Sequence, residues 1–332
     1  MAQLSDDCFA GAERLITTSE ALDILAAQVT PVADEVRVPL RAASGRILAE
    51  DVKSSINVPP HANSAVDGYA VHFSDLHSDQ QTDLPVVGRA AAGRPLGRAA
   101  KRGEAIRIFT GAPMPTGPET VMMQEDCTEQ DGIVTIAPGI KSGANCRSAG
   151  EDVTAGQIVL RRGLRLRPQE IGMAAAVGRT ELQVYQKISV AVFSTGDEVG
   201  EPGTDLSPGK IYDSNRFISI TALERLGCVV EDLGILPDQP EKIGNAIRQA
   251  ATGHDLIVTS GGMSVGEEDH VRKAVQDSGT LHFWRLAIKP GRPVSLGQIR
   301  AGDRTAAFVG LPGNPVAAMV TFLLIGRPLA LR

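Results

Sequence analysis

Cysteine is scarce in this chain: four in 332 residues, at Cys8, Cys127, Cys146 and Cys228. No two stand in a C-x-x-C spacing and no histidine cluster accompanies them. That excludes a zinc knuckle and a dithiol redox pair, and it fits a reduced, cytoplasmic setting. Long apolar runs are missing too. The longest, Val316 to Ile325, is interrupted by Thr321 and stops at Gly326-Arg327-Pro328, too short to span a bilayer. Met1 to Ala12 holds Asp6 and Asp7 but no basic n-region or apolar h-region, so no signal peptide is expected. There is no basic excess either. Thirty-nine Asp+Glu outnumber 33 Lys+Arg for a formal charge of −6, which makes the chain a poor candidate for nucleic-acid or anionic-membrane binding. A small anionic ligand in a local basic pocket remains compatible with that balance. Repeats and low-complexity tracts are absent.

What is present is ordinary globular material, with 42% apolar and 22% charged residues, and the length suggests about two or three domains of roughly 100–200 residues each. Gly and Pro make up 55 of the 332 residues, above the usual ~12%, so many tight turns are expected. Residues 17–28 read as a helix that Thr18 or Ser19 can cap, with Leu22, Leu25 and Ala26 on one face. Residues 55–146 hold short β-type stretches, Leu84–Val87, Ala105–Phe109, Thr120–Met123 and Gly132–Ile136, and read as a small β-rich domain. Residues 147–186 mix loop, strand and one helix from Pro168 to Val177.

From Lys187 strands and helices alternate. Strands are expected at Ile188–Phe193, Val229–Leu236, Asp255–Thr259 and Thr305–Val309. Helices are expected at Asn215–Leu226 with Ser214 as N-cap, Pro240–Ala251, His270–Gln276, and 315–325 with Asn314 as N-cap and Pro315 at N1. This predicts an α/β fold whose open, mostly parallel sheet has right-handed crossovers.

In such a sheet ligands bind outside the carboxyl ends of the strands. The loops there are Ser194-Thr195-Gly196-Asp197-Glu198, Pro237-Asp238, the stretch from Thr259 to Asp269, and Gly310 to Pro315. Glycine turns and helix N-termini favour an anion. The acids Asp197, Glu198, Asp238 and Asp269 make sense beside it if a hard cation such as Mg²⁺ lies between. The bland alternative is that Asp and Gly are common in loops and that the acids cap helices. Two phosphate motifs fail: Gly203–Lys210 has the spacing G-x5-G-K but is followed by Ile211, and no G-x-G-x-x-G follows a strand. The segment from Trp284 to Pro293 brings Arg285, Lys289 and Arg292 around a Pro-Gly turn, either an oxyanion grip or a solvated basic loop. In the β-rich region Asp67, Thr110 and the pair Arg147 and Asp152 each sit on a tight loop that taken singly is turn chemistry.

Taken together the motifs are specific. NSAVDGYAV (63–71), FTGAPMPTG (109–117), RSAGEDV (147–153), STGDEV (194–199), TSGGMSVGEEDHV (259–271), IKPGRP (288–293) and GLPGNP (310–315) occur in this order. The set closely resembles the molybdopterin molybdenumtransferase family, the MoeA-type enzymes that include the E domain of gephyrin, from about residue 18 to the end of the chain. The resemblance implies Mg²⁺-assisted insertion of molybdate into adenylylated molybdopterin with release of AMP. It implies catalytic roles for Asp67, Asp152, Glu198, Asp238 and Asp269, with Glu198, Asp238 and Asp269 as Mg²⁺ candidates. It implies substrate contacts for Thr110, Arg147, Ser194, Thr195, Gly196, Gly261, Gly262, Ser264, Pro312 and Asn314, and for Arg285, Lys289 and Arg292 toward molybdate.

The resemblance also implies an architecture: an elongated discontinuous α+β domain (14–54 and 147–186) that dimerises, a β-rich domain (55–146) and a molybdopterin-binding α/β domain (187–332), with a cleft shared between subunits of a homodimer. Further partners are a molybdopterin adenylyltransferase and molybdoenzyme chaperones. Three departures stand out. Arg285 and Arg292 replace common lysines, Ala317 replaces a common serine, and the small C-terminal β domain of the family is expected to be absent after Arg332. Two rival readings are a molybdopterin adenylyltransferase, against which 63–71 and 147–153 speak, and a non-catalytic molybdopterin-binding scaffold.

Overall fold

The computed structural model describes residues 15–261 and 270–332. The chain divides into two compact units, one of Arg37–Val184 and one of the residues up to Val36 together with Tyr185–Arg332.

The first unit is built on a six-stranded sheet in the order Thr120–Met123, Gly68–Val71, Ala105–Ile108, Thr82–Ala90, Ile133–Ile136, Cys127–Gln130. All four expected β stretches are strands in it. The sheet buries both faces: Tyr69, Val71, Leu84, Met122 and Val134 form one core, and Ala70, Ala90, Ile106, Ile108 and Val121 the other. Successive side chains of a strand point to opposite faces, so Tyr69 and Ala70, or Met122 and Val121, feed different cores. Residues on either side of this sheet in sequence pair with each other. Val52–Lys53 runs antiparallel to Ile158–Leu160, and Ile47 bridges Arg165. The helix Pro168–Ala176 starts with proline at its first turn, and Glu170 reaches back to the Arg167 backbone N–H at 2.8 Å.

The second unit is a mixed seven-stranded sheet in the order Leu15–Ile16, Gly279–Leu286, Pro293–Ala301, Arg304–Leu311, Leu256–Ser260, Ser189–Thr195, Val229–Leu236. The last four are parallel to one another, as the alternating pattern predicts. The hairpin Gly279–Leu286 with Pro293–Ala301 departs from expectation. It inserts an antiparallel strand next to Arg304–Leu311, so the Trp284–Pro293 segment is the tip of a hairpin. One face packs Val190, Val192, Val258, Trp284, Leu286 and Phe322 under helices Thr18–Gln28 and Asn215–Leu226. The other packs Ala191, Phe193, Ile257 and Phe308 under Pro240–Gly253 and His270–Ser278. Among the described residues no helix is long and apolar enough to cross a membrane.

Three local readings are corrected. Thr17, one residue ahead of the expected Thr18 or Ser19, caps the first helix, because Glu20 three residues on completes a reciprocal box: Thr17 Oγ1 accepts from the Glu20 N–H at 3.1 Å and Glu20 Oε2 from the Thr17 N–H at 2.7 Å. That helix buries Ala21 and Leu25 in the α/β core, whereas the resemblance groups it with 147–186. Ser214 holds the cap position without a side-chain bond; Asp213 Oδ1 takes the Arg216 N–H at 3.1 Å instead. The last helix does not end at 325. It runs Pro315–Thr321, widens into a π turn over Phe322–Gly326 and continues as Arg327–Leu331. Pro328 has no N–H to give to a regular helix, and the turn widens just ahead of it.

Candidate active site

Two clusters form, one in each unit. In the β-rich unit the two-residue strand Asn63–Ser64 lies between Cys146–Arg147 on one side and Pro113 on the other. Gly111 N–H donates to Ser64 O at 2.8 Å and Ser64 N–H to Ala112 O at 2.9 Å. One short strand therefore gathers the three loops that carry Asp67, Thr110 and Arg147. Asp67 Oδ1 accepts both the Thr110 N–H, at 2.8 Å, and its hydroxyl, at 2.7 Å. Those bonds, with the Arg107 charge nearby, hold the Asp67 carboxyl below its ordinary value. Arg147 donates to Asp152 Oδ1 at 2.7 Å and to Glu151 Oε1 at 3.1 Å, and these partners keep its guanidinium charged more firmly than usual.

The Asp67–Thr110 contact carries a pH prediction. A carboxyl lowered in the folded state adds stability above the unfolded-state value, near 3.9, and loses it as the pH falls through the folded value. In Thr110→Val the hydroxyl donor is gone but the N–H remains. The Asp67 titration, followed by carboxyl carbon NMR, is expected to move upward without reaching the ordinary value; an unmoved titration would exclude the hydroxyl as a cause.

In the α/β unit the parallel strands end side by side, Thr195 beside Leu236, Ser194 beside Ser260, and Ser260 beside Leu311. The strand Gly279–Leu286 runs in the same direction as these, so the hairpin tip with Arg285, Lys289 and Arg292 lies on this carboxyl edge. Leu286 N–H donates to Arg292 O at 2.7 Å and closes the tip. All three cations are exposed. Among the described residues three hydroxyls of this region, on Ser194, Thr195 and Thr259, are buried without a hydrogen-bond partner, and so is Oδ1 of Asn215. Asn215 Nδ2 donates to Gly313 O at 2.7 Å and ties the helix start to the Gly310–Pro315 loop. Asn314 Oδ1 caps the final helix by accepting from the Ala317 N–H at 3.0 Å, with Pro312 preceding it. Buried polar groups without partners are rare and call for a function.

Two glycines are required here, Gly196 by its backbone φ and Gly261 by φ and close approach together. At Gly196 (φ +135°) a Cβ would sit 2.5 Å from Oε2 of Glu198, whose carboxylate is folded back over the turn. At Gly261 (φ +85°) a Cβ would sit 2.9 Å from Thr195 O. Gly261→Ala combines a disfavoured φ with a backbone clash and is expected to cost about 1–3 kcal/mol. Gly203→Ala, at φ +89° in open space, is the control in thermal melts. Equal losses in the two variants would show that the Thr195 contact does not matter.

The structure thus brings together Asp67 with Thr110, Arg147 with Asp152, and, on one sheet edge, Ser194, Thr195, Gly196, Glu198, Gly261, Arg285, Lys289, Arg292, Pro312 and Asn314. Asp238 is exposed in the loop after Val229–Leu236 on that same edge. Gly262, Ser264 and Asp269 lie outside the described residues. Sequence reasoning missed Asn215, read only as the first residue of a helix, and Arg216. Arg216 is buried among Asp213 at 3.0 Å, both oxygens of Asp232 at 2.6 Å, and Glu201. Burial works against its charge, but the three carboxylates win and hold the guanidinium above its usual value. Among the described residues no three His, Cys, Asp or Glu side chains gather as metal ligands. Glu198 and Asp238, exposed in neighbouring loops of this edge, offer carboxylate oxygens, the donor type that a hard cation takes.

The two-unit organisation, a β-rich N-terminal part and a C-terminal α/β sheet, agrees with the families that match the chain. Residues 16–178 match the family described as "MoeA N-terminal region (domain I and II)", and residues 191–332 match "Probable molybdopterin binding domain". The chain is 44% identical over 291 residues to a molybdopterin molybdenumtransferase of Haemophilus influenzae, covering 87% of this chain and 70% of that protein. It is 36% identical to one of Nostoc sp., covering 88% and 67%. A crystal structure of a molybdopterin biosynthesis MoeA protein from Pyrococcus horikoshii aligns with TM-score 0.77 at 31% identity, over 96% of this chain and 80% of that one. The chain belongs to the molybdopterin molybdenumtransferase family.

Proposed function

We propose that the protein is a transferase of molybdenum cofactor biosynthesis that inserts molybdate into adenylylated molybdopterin and releases AMP. The carrying observation is the carboxyl edge of the α/β sheet, which carries buried hydroxyls without partners among the described residues, the folded-back Glu198 and a basic hairpin tip along one side. Backbone N–H groups at the Gly196 and Gly310–Pro315 turns bind phosphate oxygens. Ser194, Thr195 and Asn215 satisfy their polar atoms on the substrate. Arg285, Lys289 and Arg292 hold the molybdate dianion, and Glu198, Asp238 and Asp269 hold Mg²⁺. The ion, when bound, polarises a phosphoryl oxygen as a Lewis acid. Asp67 enters as an ionised carboxylate fixed by Thr110. The working form is a homodimer in the cytoplasm, supplied by an adenylyltransferase.

Incubation with adenylylated molybdopterin and molybdate is expected to release AMP and give cofactor that activates a molybdenum-dependent apoenzyme. Incubation with molybdopterin and ATP is expected to give no adenylylated product. The reverse pattern would identify an adenylyltransferase, and binding without turnover a scaffold.

A further inference from the structure

We propose that Arg89 and Arg107 form an oxyanion site on the β-rich unit, taking a phosphoryl group or another tetrahedral dianion beside Asp67. The two residues are direct partners on neighbouring strands, Thr82–Ala90 and Ala105–Ile108, which run parallel. Like charges placed opposite one another on adjacent strands repel, and among the described residues neither guanidinium forms an ion pair with a carboxylate. Arg89 makes no hydrogen bond there. Arg107 donates only to neutral oxygens, the Gln124 Oε1 at 2.5 Å and the Gly68 carbonyl at 3.5 Å. No carboxylate among the described residues pairs directly with either guanidinium, so the repulsion is only partly relieved.

Both groups are held in place by aromatic rings. The Arg89 guanidinium lies 4.6 Å and that of Arg107 5.1 Å from the Phe109 centroid, and Arg107 also lies 4.8 Å from that of Tyr69. Stacking orients the planar forks and leaves their N–H edges to donate, the geometry in which arginine grips phosphate-like oxyanions. Phe109 is followed at once by Thr110, whose N–H and hydroxyl occupy Asp67 Oδ1. Asp67 feels the Arg107 charge, and Glu129 lies on the far side of the Tyr69 ring, bonded to its hydroxyl at 2.6 Å; neither acid pairs with a guanidinium, so the Arg89 fork stays open to a ligand. The site stands on the arginine stack and does not depend on the transferase reading.

Calorimetric titration at low ionic strength tests it. The parent is the full chain carrying Lys289→Ala and Arg292→Ala, which removes the other basic loop. Inorganic pyrophosphate is the probe in one arm and molybdate in the other. Arg89→Gln is expected to weaken binding about tenfold, the value of one charge-assisted pair. Arg89→Lys is expected to weaken it less, and Arg89→Gln with Arg107→Gln to abolish it. Binding of pyrophosphate alone identifies a phosphoryl site, and of molybdate alone a molybdate site. A parent that binds neither anion, or a double variant within twofold of the parent, overturns the proposal. Arg89 is exposed, so its single variant folds and decides the matter if the double variant does not. Failure of the transferase reading shows separately, as no AMP release by the chain with Lys289 and Arg292 intact while this binding persists in the parent.

Discussion

Arg216→Met is expected to lower the melting temperature by roughly 6–20 °C, the equivalent of about 3–5 kcal/mol in a unit of this size. Arg216 itself is 3% exposed, and its partner Asp213 2%. Removing the guanidinium leaves Asp213 as a buried carboxylate with no counter-charge, which is the costly half of breaking a buried ion pair. Asp232 and Glu201 are far more exposed, at 39% and 48%, and recover water when their partner is lost. A second substitution therefore discriminates: Asp213→Asn in the Arg216→Met background is expected to restore a good part of the loss. Thermal unfolding followed by circular dichroism reads both. A single variant melting within about 2 °C of the parent would mean that the network adds nothing net. Arg216 also ties Glu201, three residues after Glu198, to the sheet, so the activity of the variant should fall at temperatures where it remains folded.

Asp67→Ala is expected to reduce AMP release from adenylylated molybdopterin about 10²-fold, within the range for loss of one preorganised electrostatic group, with little change in melting temperature. Asp67→Asn separates two roles. The amide oxygen still accepts from Thr110 and keeps the 109–115 loop in position, but the charge is gone. If the carboxylate acts on the reaction, Asn is as damaging as Ala and kcat falls more than KM rises. If Asp67 only positions the loop, Asn restores most of the rate, and the role given to it above is wrong.

The strands and helices of the α/β unit were legible because buried parallel strands are continuous apolar runs and their helices carry caps and prolines. The hairpin was not. Lys289-Pro290-Gly291-Arg292 reads as a basic loop, and nothing in its flanks tells an antiparallel insertion from another parallel strand. Most candidate residues were legible as turn motifs, one at a time. Their convergence in the β-rich unit was not, because it depends on Asn63–Ser64, a strand too short to have a period. Arg216 was invisible for a related reason. Glu201 and Asp232 lie 15 and 16 residues away from it in sequence, on different elements, and a lone arginine near a helix start reads as surface. Arg89 and Arg107 are 18 positions apart, and only strand pairing makes them neighbours.

The reversed strand Pro293–Ala301 has a further consequence. A loop between parallel strands must lead into a crossover helix, so changing its length shifts that helix. The tip at 287–292 begins and ends in the same sheet, is pinched shut between Leu286 and Arg292, and rests on the final helix where the Gly291 carbonyl accepts from the Thr321 hydroxyl at 3.3 Å. The charges it carries, on the exposed Lys289 and Arg292, can therefore be rewritten without moving a strand or a crossover helix, so long as the buried Gly291 keeps its seat on the final helix. On the proposed reading, selection for one oxyanion over another can act on these few residues while the glycine turns of the parallel strands stay fixed.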